Sequence, residues 1–317
     1  MKVVSIKELI EAGVHFGHRS SRWHPRMESY IYERHSQIHI LDLRETIRGV
    51  IRASHFLTRL TEAGHDVVFV GTKSQAREIV RDQATRCGMH WVTNRWLGGT
   101  LTNFHTIRSR LRRLEELEAL EADGSINLRS KKEISSLRRE RRKIHRNLEG
   151  IRRMGRLPGA MIVVDIRRDD IAVAEARLLG IPVVAIVDSD CDPDQVDIAI
   201  PGNDDAYRSI EIVLQALADA IIAGRDKLIT RQEAEERKRL EEEAEQRRRA
   251  ESRSAASPAA PKGDAPPGTD GAPAPSSGSS GRPPGSPPPS APSSPSGAPT
   301  MVKAEGPPRP GPVSPGV

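Results

Sequence analysis

Gly71-Thr72-Lys73-Ser74 follows a short apolar run and precedes a helical pattern, the place where phosphate-binding loops put a glycine and a lysine. A full phosphate loop needs a further glycine and four residues ahead of its Gly-Lys pair, so that successive backbone amides surround the phosphates. Here the residues before Gly71 belong to the apolar run itself, and Thr72 separates glycine from lysine. Nucleotide hydrolysis is a poor match on these grounds. Lys73 at a helix N-terminus still suits a single phosphate, and one in an RNA backbone would serve.

Two further groups have side chains suited to metal chemistry. His15, His18 and His24 lie close together in sequence, and Asp188, Asp190, Asp192 and Asp194 alternate along one loop. The aspartates resemble the start of a calcium-binding loop. The glycine required at its sixth position is Pro193, and the bidentate glutamate at the twelfth is Ala199. Nothing in the sequence brings the histidines to the aspartates, so hydrogen-bonding loop histidines and an Asp-stabilised turn are the simpler readings. No metal or cofactor is expected. Cys87 and Cys191 are too few for a disulfide framework and read as buried thiols, and no Ser/His/Asp or Cys/His set stands out.

The basic residues are unevenly spread. His105–Leu157 holds 16 Lys and Arg against 8 Asp and Glu, a net charge of +8 in a chain of +6. Arg108, Arg110, Arg112 and Arg113 fall in its first half, and Arg138, Arg139, Arg141, Arg142, Lys143 and Arg146 in its second. Arg152, Arg153 and Arg156 stand at its base. Arg19 and Arg22 precede Trp23 in one loop, and Arg95 precedes Trp96 in another. Such clusters pair with nucleic-acid phosphates, and these residues with Lys73 are the candidate RNA ligands. Trp23 and Trp96 read first as packing residues. An acidic protein partner would also suit the basic block.

The elements that position these groups can be read in order. Ser5 and Glu8 form a capping box for a short helix that stops at Gly13. Residues 14–27 read as a loop, and 30–32 and 38–40 as strands of a hairpin turning within 33–36. A helix from Asp42 to about Ala63 leads to the apolar strand Val67–Val70. Thr72 and Gln75 read as the cap of the next helix, which ends at Gly88, and residues 90–92 as a further strand. Ile107, Leu111, Leu114, Leu117 and Leu120 make one apolar stripe. Ile134, Leu137, Ile144, Leu148 and Ile151 make another, with Asp123-Gly124 between them. Two narrow stripes predict an antiparallel coiled-coil hairpin. Strands at 160–165 and 182–187 follow, then a short one at 198–200 and a helix starting at Asp204/Asp205.

Short apolar strands that alternate with helices imply parallel pairing. The predicted fold is α/β, a flavodoxin-like or Rossmann-like three-layer body. Residues 1–104 and 158–228 form one discontinuous domain, with 105–157 inserted as the hairpin. Residues 229–253 read as a solvated charged helix held by i,i+4 ion pairs. Residues 254–317 carry most of the chain's 24 prolines among Ser, Gly and Ala, and are expected to be disordered. MKVVSIKELIEAG lacks an apolar core of signal-peptide length, and no run of about 18 apolar residues suggests a membrane span.

Several motifs together resemble one family, the bacterial small-subunit ribosomal protein number two. They are Ala12–Met27 (AGVHFGHRSSRWHPRM), Ile38–Leu43, Val70–Ala76 (VGTKSQA), Arg95–Ile107 (RWLGGTLTNFHTI), Leu157–Asp165 and Gly180–Ser209. The family usually has Asn where His24 stands, and Asp-Thr-Asn-Cys where Asp188-Ser189-Asp190-Cys191 stands. The resemblance implies a flavodoxin-like body with a coiled-coil insertion and a structural, non-catalytic role in the cytoplasm on the small ribosomal subunit. It implies small-subunit ribosomal RNA and neighbouring small-subunit proteins as partners, including ribosomal protein number one, and neither a small-molecule substrate nor a membrane. The competing readings are an α/β enzyme binding a nucleotide or sugar phosphate near Gly71–Ser74, and a coiled-coil protein that binds no RNA.

Overall fold

The computed structural model describes residues 5–255. It opens on α1 (Ile6–Glu11), held by the Ser5/Glu8 capping box: the Glu8 amide donates to Ser5 Oγ at 3.3 Å and the Ser5 amide to Glu8 Oε2 at 2.9 Å. A three-stranded antiparallel sheet follows, formed by β1 (Phe16–Arg19), β2 (Ile31–His35) and β3 (Ile38–Leu41), with β3 in the middle. The stretch 14–27, expected as a loop, therefore contributes a strand. The β2–β3 turn sits at Ser36-Gln37, later than expected. Both residues have positive φ (47° and 66°), as in the two-residue turns whose twist suits a hairpin.

Helix α2 (Leu43–Glu62) starts at Asp42, whose carboxylate accepts from the Arg44 amide at 2.8 Å. The strand β4 (Val67–Val70) is buried at every position. Helix α3 (Arg77–Cys87) begins later than the Thr72/Gln75 pattern predicts: Thr72 Oγ1, the acceptor a cap would use, takes a hydrogen bond from Arg168 Nε at 3.0 Å, and the Thr72 amide donates to Asp169 Oδ2 at 3.1 Å. It ends at Gly88 as expected, and β5 (His90–Val92) follows.

The basic block folds as α4 (Phe104–Ala122) and α5 (Lys131–Leu148). Gly124, at φ 70°, turns the chain between them. Leu111, Leu114 and Leu117 are buried, whereas Ile134, Leu137 and Ile144 are only half-buried.

The parallel pattern then resumes with β6 (Ala160–Val164), α6 (Asp170–Leu178), β7 (Val183–Val187) and β8 (Ile198–Pro201). The five-stranded sheet has the order β5-β4-β6-β7-β8 and is parallel throughout. Alternate residues feed two cores. Val68, Val70, Met161 and Val163 face α6 and the base of the hairpin. Val67, Phe69, Ile162 and Val164 face α2, α3 and the long helix α7 (Tyr207–Ala255). This is the three-layer α/β body the strand pattern predicts.

Asp204 and Asp205 do not start α7. Asn203 Oδ1 accepts from the amides of Asp205 and Ala206 at 2.8 and 3.0 Å, and the helix begins at Tyr207. The helices expected before and after residue 228 are one. The first half buries Ile210, Val213, Leu214, Leu217 and Ile221. Beyond it, Arg231–Glu235, Arg237–Glu241 and Arg239–Glu243 pair along the exposed surface at 3.8, 3.0 and 3.5 Å. The predicted tail lies, from residue 256 on, outside the described residues.

Candidate nucleic-acid interface

In an open parallel sheet the ligand crevice lies beyond the carboxyl ends of the strands. Lys73 stands there after β4, Asp165 after β6, Asp188 after β7, and Asp204 and Asp205 after β8. The Lys73 ammonium lies 2.8 Å from Asp204 Oδ1, 2.5 Å from Asp205 Oδ1 and 3.6 Å from Asp165 Oδ2, with its side chain only 12% exposed. Burial works against this charge, but the three carboxylates outweigh it and hold the Lys73 pKa above the ordinary lysine value. Burial, reinforced by Asp188 and Asp165, pushes the Asp204 pKa up. Three carboxylates hold the lysine that the sequence offers to phosphate.

The antiparallel sheet closes over the same crevice. His18 of β1 places Nδ1 3.0 Å from Asp188 Oδ2 and Nε2 3.4 Å from Asp205 Oδ2. The hydrogen bond to Asp188 raises the His18 pKa to about 9 against a smaller opposing effect of burial. The His18 amide donates to Ser189 Oγ at 2.7 Å and the His24 amide to the Ser189 carbonyl at 2.8 Å. Gly17 permits this approach, since a Cβ there would stand 2.8 Å from Ser189 Oγ. Arg26 adds ion pairs to Asp192 and Asp194 at 2.9 and 3.1 Å.

The fold thus brings His18 to the aspartate loop, which the sequence does not disclose. His18, Asp188 and Asp204 each offer one ligand atom, all within 4.8 Å of one another. The other two histidines stay apart from this set. His24 accepts from the Arg26 amide at 3.3 Å to start a 3-10 turn, and His15 stacks at a tilt on Phe16.

The candidate RNA ligands divide by what they touch. Arg113 pairs with Glu116 and Glu140, Arg138 and Arg141 with Glu121, Arg152 with Glu118, and Arg156 with Asp66 and the Gly64 carbonyl. Those cations are spent on holding the hairpin together and seating its base. Arg19, Arg22, Arg95, Arg108, Arg110, Arg112, Arg139, Arg142, Lys143, Arg146 and Arg153 are exposed. None of their side chains has an ion-pair or hydrogen-bond partner among the described residues. Arg139, Arg142, Lys143 and Arg146 recur at spacings of three and four, so they share the face of α5 opposite its apolar stripe. Lys132, one heptad before Arg139, extends this face. It is exposed, and its heptad spacing from Arg139 is the sequence signal that places it there.

Glu175, on α6, is the functional residue with no local sequence signal beyond being a lone carboxylate among Ala172, Val173 and Ala176. It is buried and accepts from the Trp96 indole at 3.1 Å and from the amides of Gly99, Leu101 and Thr102 at 2.7, 2.9 and 3.1 Å. The Thr102 hydroxyl donates as well, at 3.1 Å. Burial disfavours its charge, but these donors outweigh it and lower its pKa. Glu175 therefore shapes the loop that leads into α4. Trp96 is buried as a packing residue, while Arg95 beside it is exposed. The Asn94 side chain donates to the Arg146 carbonyl at 2.7 Å, tying this loop to the cationic face of α5.

Residues 9–224 match the family model described as "Ribosomal protein S2". The chain belongs to the ribosomal protein S2 family. It is 57% identical over 225 residues to "Small ribosomal subunit protein uS2" of Rhodopirellula baltica, covering 71% of this chain and 86% of that protein. The protein of the same name from Syntrophobacter fumaroxidans is 52% identical over 238 residues, which cover 75% and 87%. The S2 match takes in both sheets, the filled crevice and the whole hairpin. It ends at Gly224, shortly before α7 becomes exposed on all sides.

Proposed function

We propose that this chain is a structural constituent of the small ribosomal subunit, held to ribosomal RNA by the outward face of α5 and by Arg95, Arg108, Arg110, Arg112 and Arg153. Membership of the S2 family makes it a ribosomal protein. The observation that carries the RNA assignment is the division of the basic residues. The glutamates of the hairpin pair with one set, leaving another unpaired and gathered on one side of α5. Arg19 and Arg22 extend the same chemistry to the antiparallel sheet, and Lys73 drops out because carboxylates hold its ammonium.

The role is structural and not enzymatic. The crevice in which such folds bind substrates is occupied by Lys73, His18 and four aspartates of this chain. Residues 1–104 and 158–228 act as one body, with 105–157 as an inserted arm and 229–253 as a solvated helix. The pairing of β4 with β5 before the arm and with β6 after it supports that division. Neighbouring ribosomal proteins, ribosomal protein number one among them, dock on the body; exposed Ile6, Ile10 and Phe16 support an apolar contact there.

Fractionating a lysate on a magnesium-containing sucrose gradient tests the reading. The chain should travel with small subunits and be stripped by high salt, as phosphate contacts demand. Recovery only at the top of the gradient would overturn it.

A further inference from the structure

The loop shaped by Glu175 and the base of the hairpin enclose a groove of about 370 Å³. Its floor is apolar: Leu97 from the loop, with Ile144 and Leu148 from α5. Its rim carries Arg110 from α4 and Lys143 from α5, both exposed and without a carboxylate partner among the described residues, beside Glu140, whose carboxylate is taken by Arg113 at 3.4 Å. Asn147 stands in the wall, and its Oδ1 is buried without a hydrogen-bond partner. Buried polar atoms are nearly always paired, and Asn147 is only half-buried, so a turn of its amide toward the groove would offer this unmet acceptor to a donor from outside the chain.

The three features select one kind of occupant. Unpaired cations suit phosphates, an apolar floor suits the face of a flat ring, and an amide oxygen suits an exocyclic amino group. The groove is near the lower end of the roughly 300–1,000 Å³ typical of small-ligand sites. It also continues the RNA-facing surface. Lys143 belongs to both, and Asn94 fixes the loop to α5 at Arg146.

We propose that this groove receives one unstacked nucleotide of the ribosomal RNA. Its base rests on Leu97 and Ile144 with an amino group toward Asn147, and its phosphates lie on Arg110 and Lys143. The nucleotide comes from a loop or bulge, since bases stacked in an A-form helix cannot enter such a site. Adenine, cytosine and guanine carry the required amino group, and uracil does not. The proposal rests on the RNA-binding reading above and adds to it a contact with a base.

The test compares small subunits reconstituted with the wild-type chain or with the variants Asn147→Leu, Leu97→Trp and Arg110→Gln, probing the Watson–Crick edges of the ribosomal RNA. With the wild-type chain a single-stranded adenine, cytosine or guanine should be protected. Asn147→Leu and Leu97→Trp should both expose that base, with roughly tenfold weaker association, the size of one lost base contact. Arg110→Gln, altered at an exposed site, should weaken association and lower its salt dependence, and it keeps the test decisive should Leu97→Trp unfold. Unchanged protection and affinity in all three variants would overturn the proposal. Loss of a protein neighbour with every RNA protection intact would also overturn it and assign the groove to a peptide. Charge-neutralising variants of Arg139, Arg142 and Arg146 are the separate check on RNA binding itself. Their failure to weaken association would sink that reading, whereas their success with the groove variants silent would sink only this proposal.

Discussion

His18 Nδ1 lies 3.0 Å from Asp188 Oδ2, and this contact joins the antiparallel sheet to the carboxyl end of the parallel one. Arg26 and Asp192 add a second ion pair at 2.9 Å, and the His18 and His24 amides both donate to Ser189, so charge and hydrogen bonding tie the sheets together. The crevice between them is thereby filled with the chain's own side chains.

The His18–Asp188 pair should make stability depend on pH. The His18 pKa is raised to about 9, chiefly by its hydrogen bond to Asp188. A group whose pKa is higher folded than unfolded contributes stability that is fully present below its ordinary value, near 6.5. That contribution is lost as the pH rises through about 9. The midpoint of thermal unfolding should therefore fall between pH 6.5 and 9.5. His18→Gln should be less stable at pH 6.5 and show a flatter profile. Equal pH dependence in the variant would show that the pair contributes nothing.

Glu175 should be among the costliest carboxylates to remove. Glu175→Ala strips the partner from three amides, an indole and a hydroxyl in one loop. Each buried donor left unpaired costs about 1–3 kcal/mol, so a loss above about 3 kcal/mol in urea unfolding is expected. Glu175→Gln keeps one oxygen but turns an NH2 toward donors, and should recover less than half of that loss. RNA affinity should fall with both, because the loop that carries Arg95 loses its anchor.

Cutting the chain after Leu228 should cost the body little. The apolar residues of α7 that pack on α2 and α3 end near Ile222, and side chains from Ile229 to Gln246 are exposed. Arg231 ties this part back to the body, donating to the Glu62 carbonyl at 3.3 Å. The unfolding midpoint should shift by no more than about 2 °C, within the range of surface changes. A cut after Leu214 should abolish cooperative folding, since it removes Leu217 and Ile221 from the core.

Sequence patterns disclose what depends on neighbours along the chain. The strands at 67–70, 160–164 and 183–187 are short apolar runs buried on both faces, and each reads as such. The hairpin stripes show through their spacing for the same reason. What the sequence hides depends on distant partners. β1 (Phe16–Arg19) has no apolar run and becomes a strand because β3 offers it an edge. Thr72 does not cap α3, since Arg168 and Asp169, almost a hundred residues away, engage its hydroxyl and its amide. His18 and Asp188 are separated by most of the body, and no local pattern in either stretch points to the other. The division of the arginines is hidden too, since whether Arg138 or Arg139 is free depends on how α5 is rotated against the glutamates of α4.

That division has a direct consequence in salt. Changing Arg139, Arg142, Lys143 and Arg146 to glutamine removes four cations that have no partner within the chain. If each lies on a phosphate, the slope of log affinity against log salt should fall by roughly 0.7–0.9 per residue, or about 3 in all. Hairpin stability should barely change, since these side chains hold nothing in place. Changing Arg113, Arg141 and Arg152 to glutamine removes cations already paired with Glu116, Glu121, Glu140 and Glu118. The slope should then change little, while unfolding of the hairpin becomes easier by a few tenths to 1 kcal/mol per pair, the usual worth of exposed ion pairs. Titrating both variants against ribosomal RNA at several salt concentrations separates the sets. Equal slopes would mean that RNA does not distinguish the two faces of the arm.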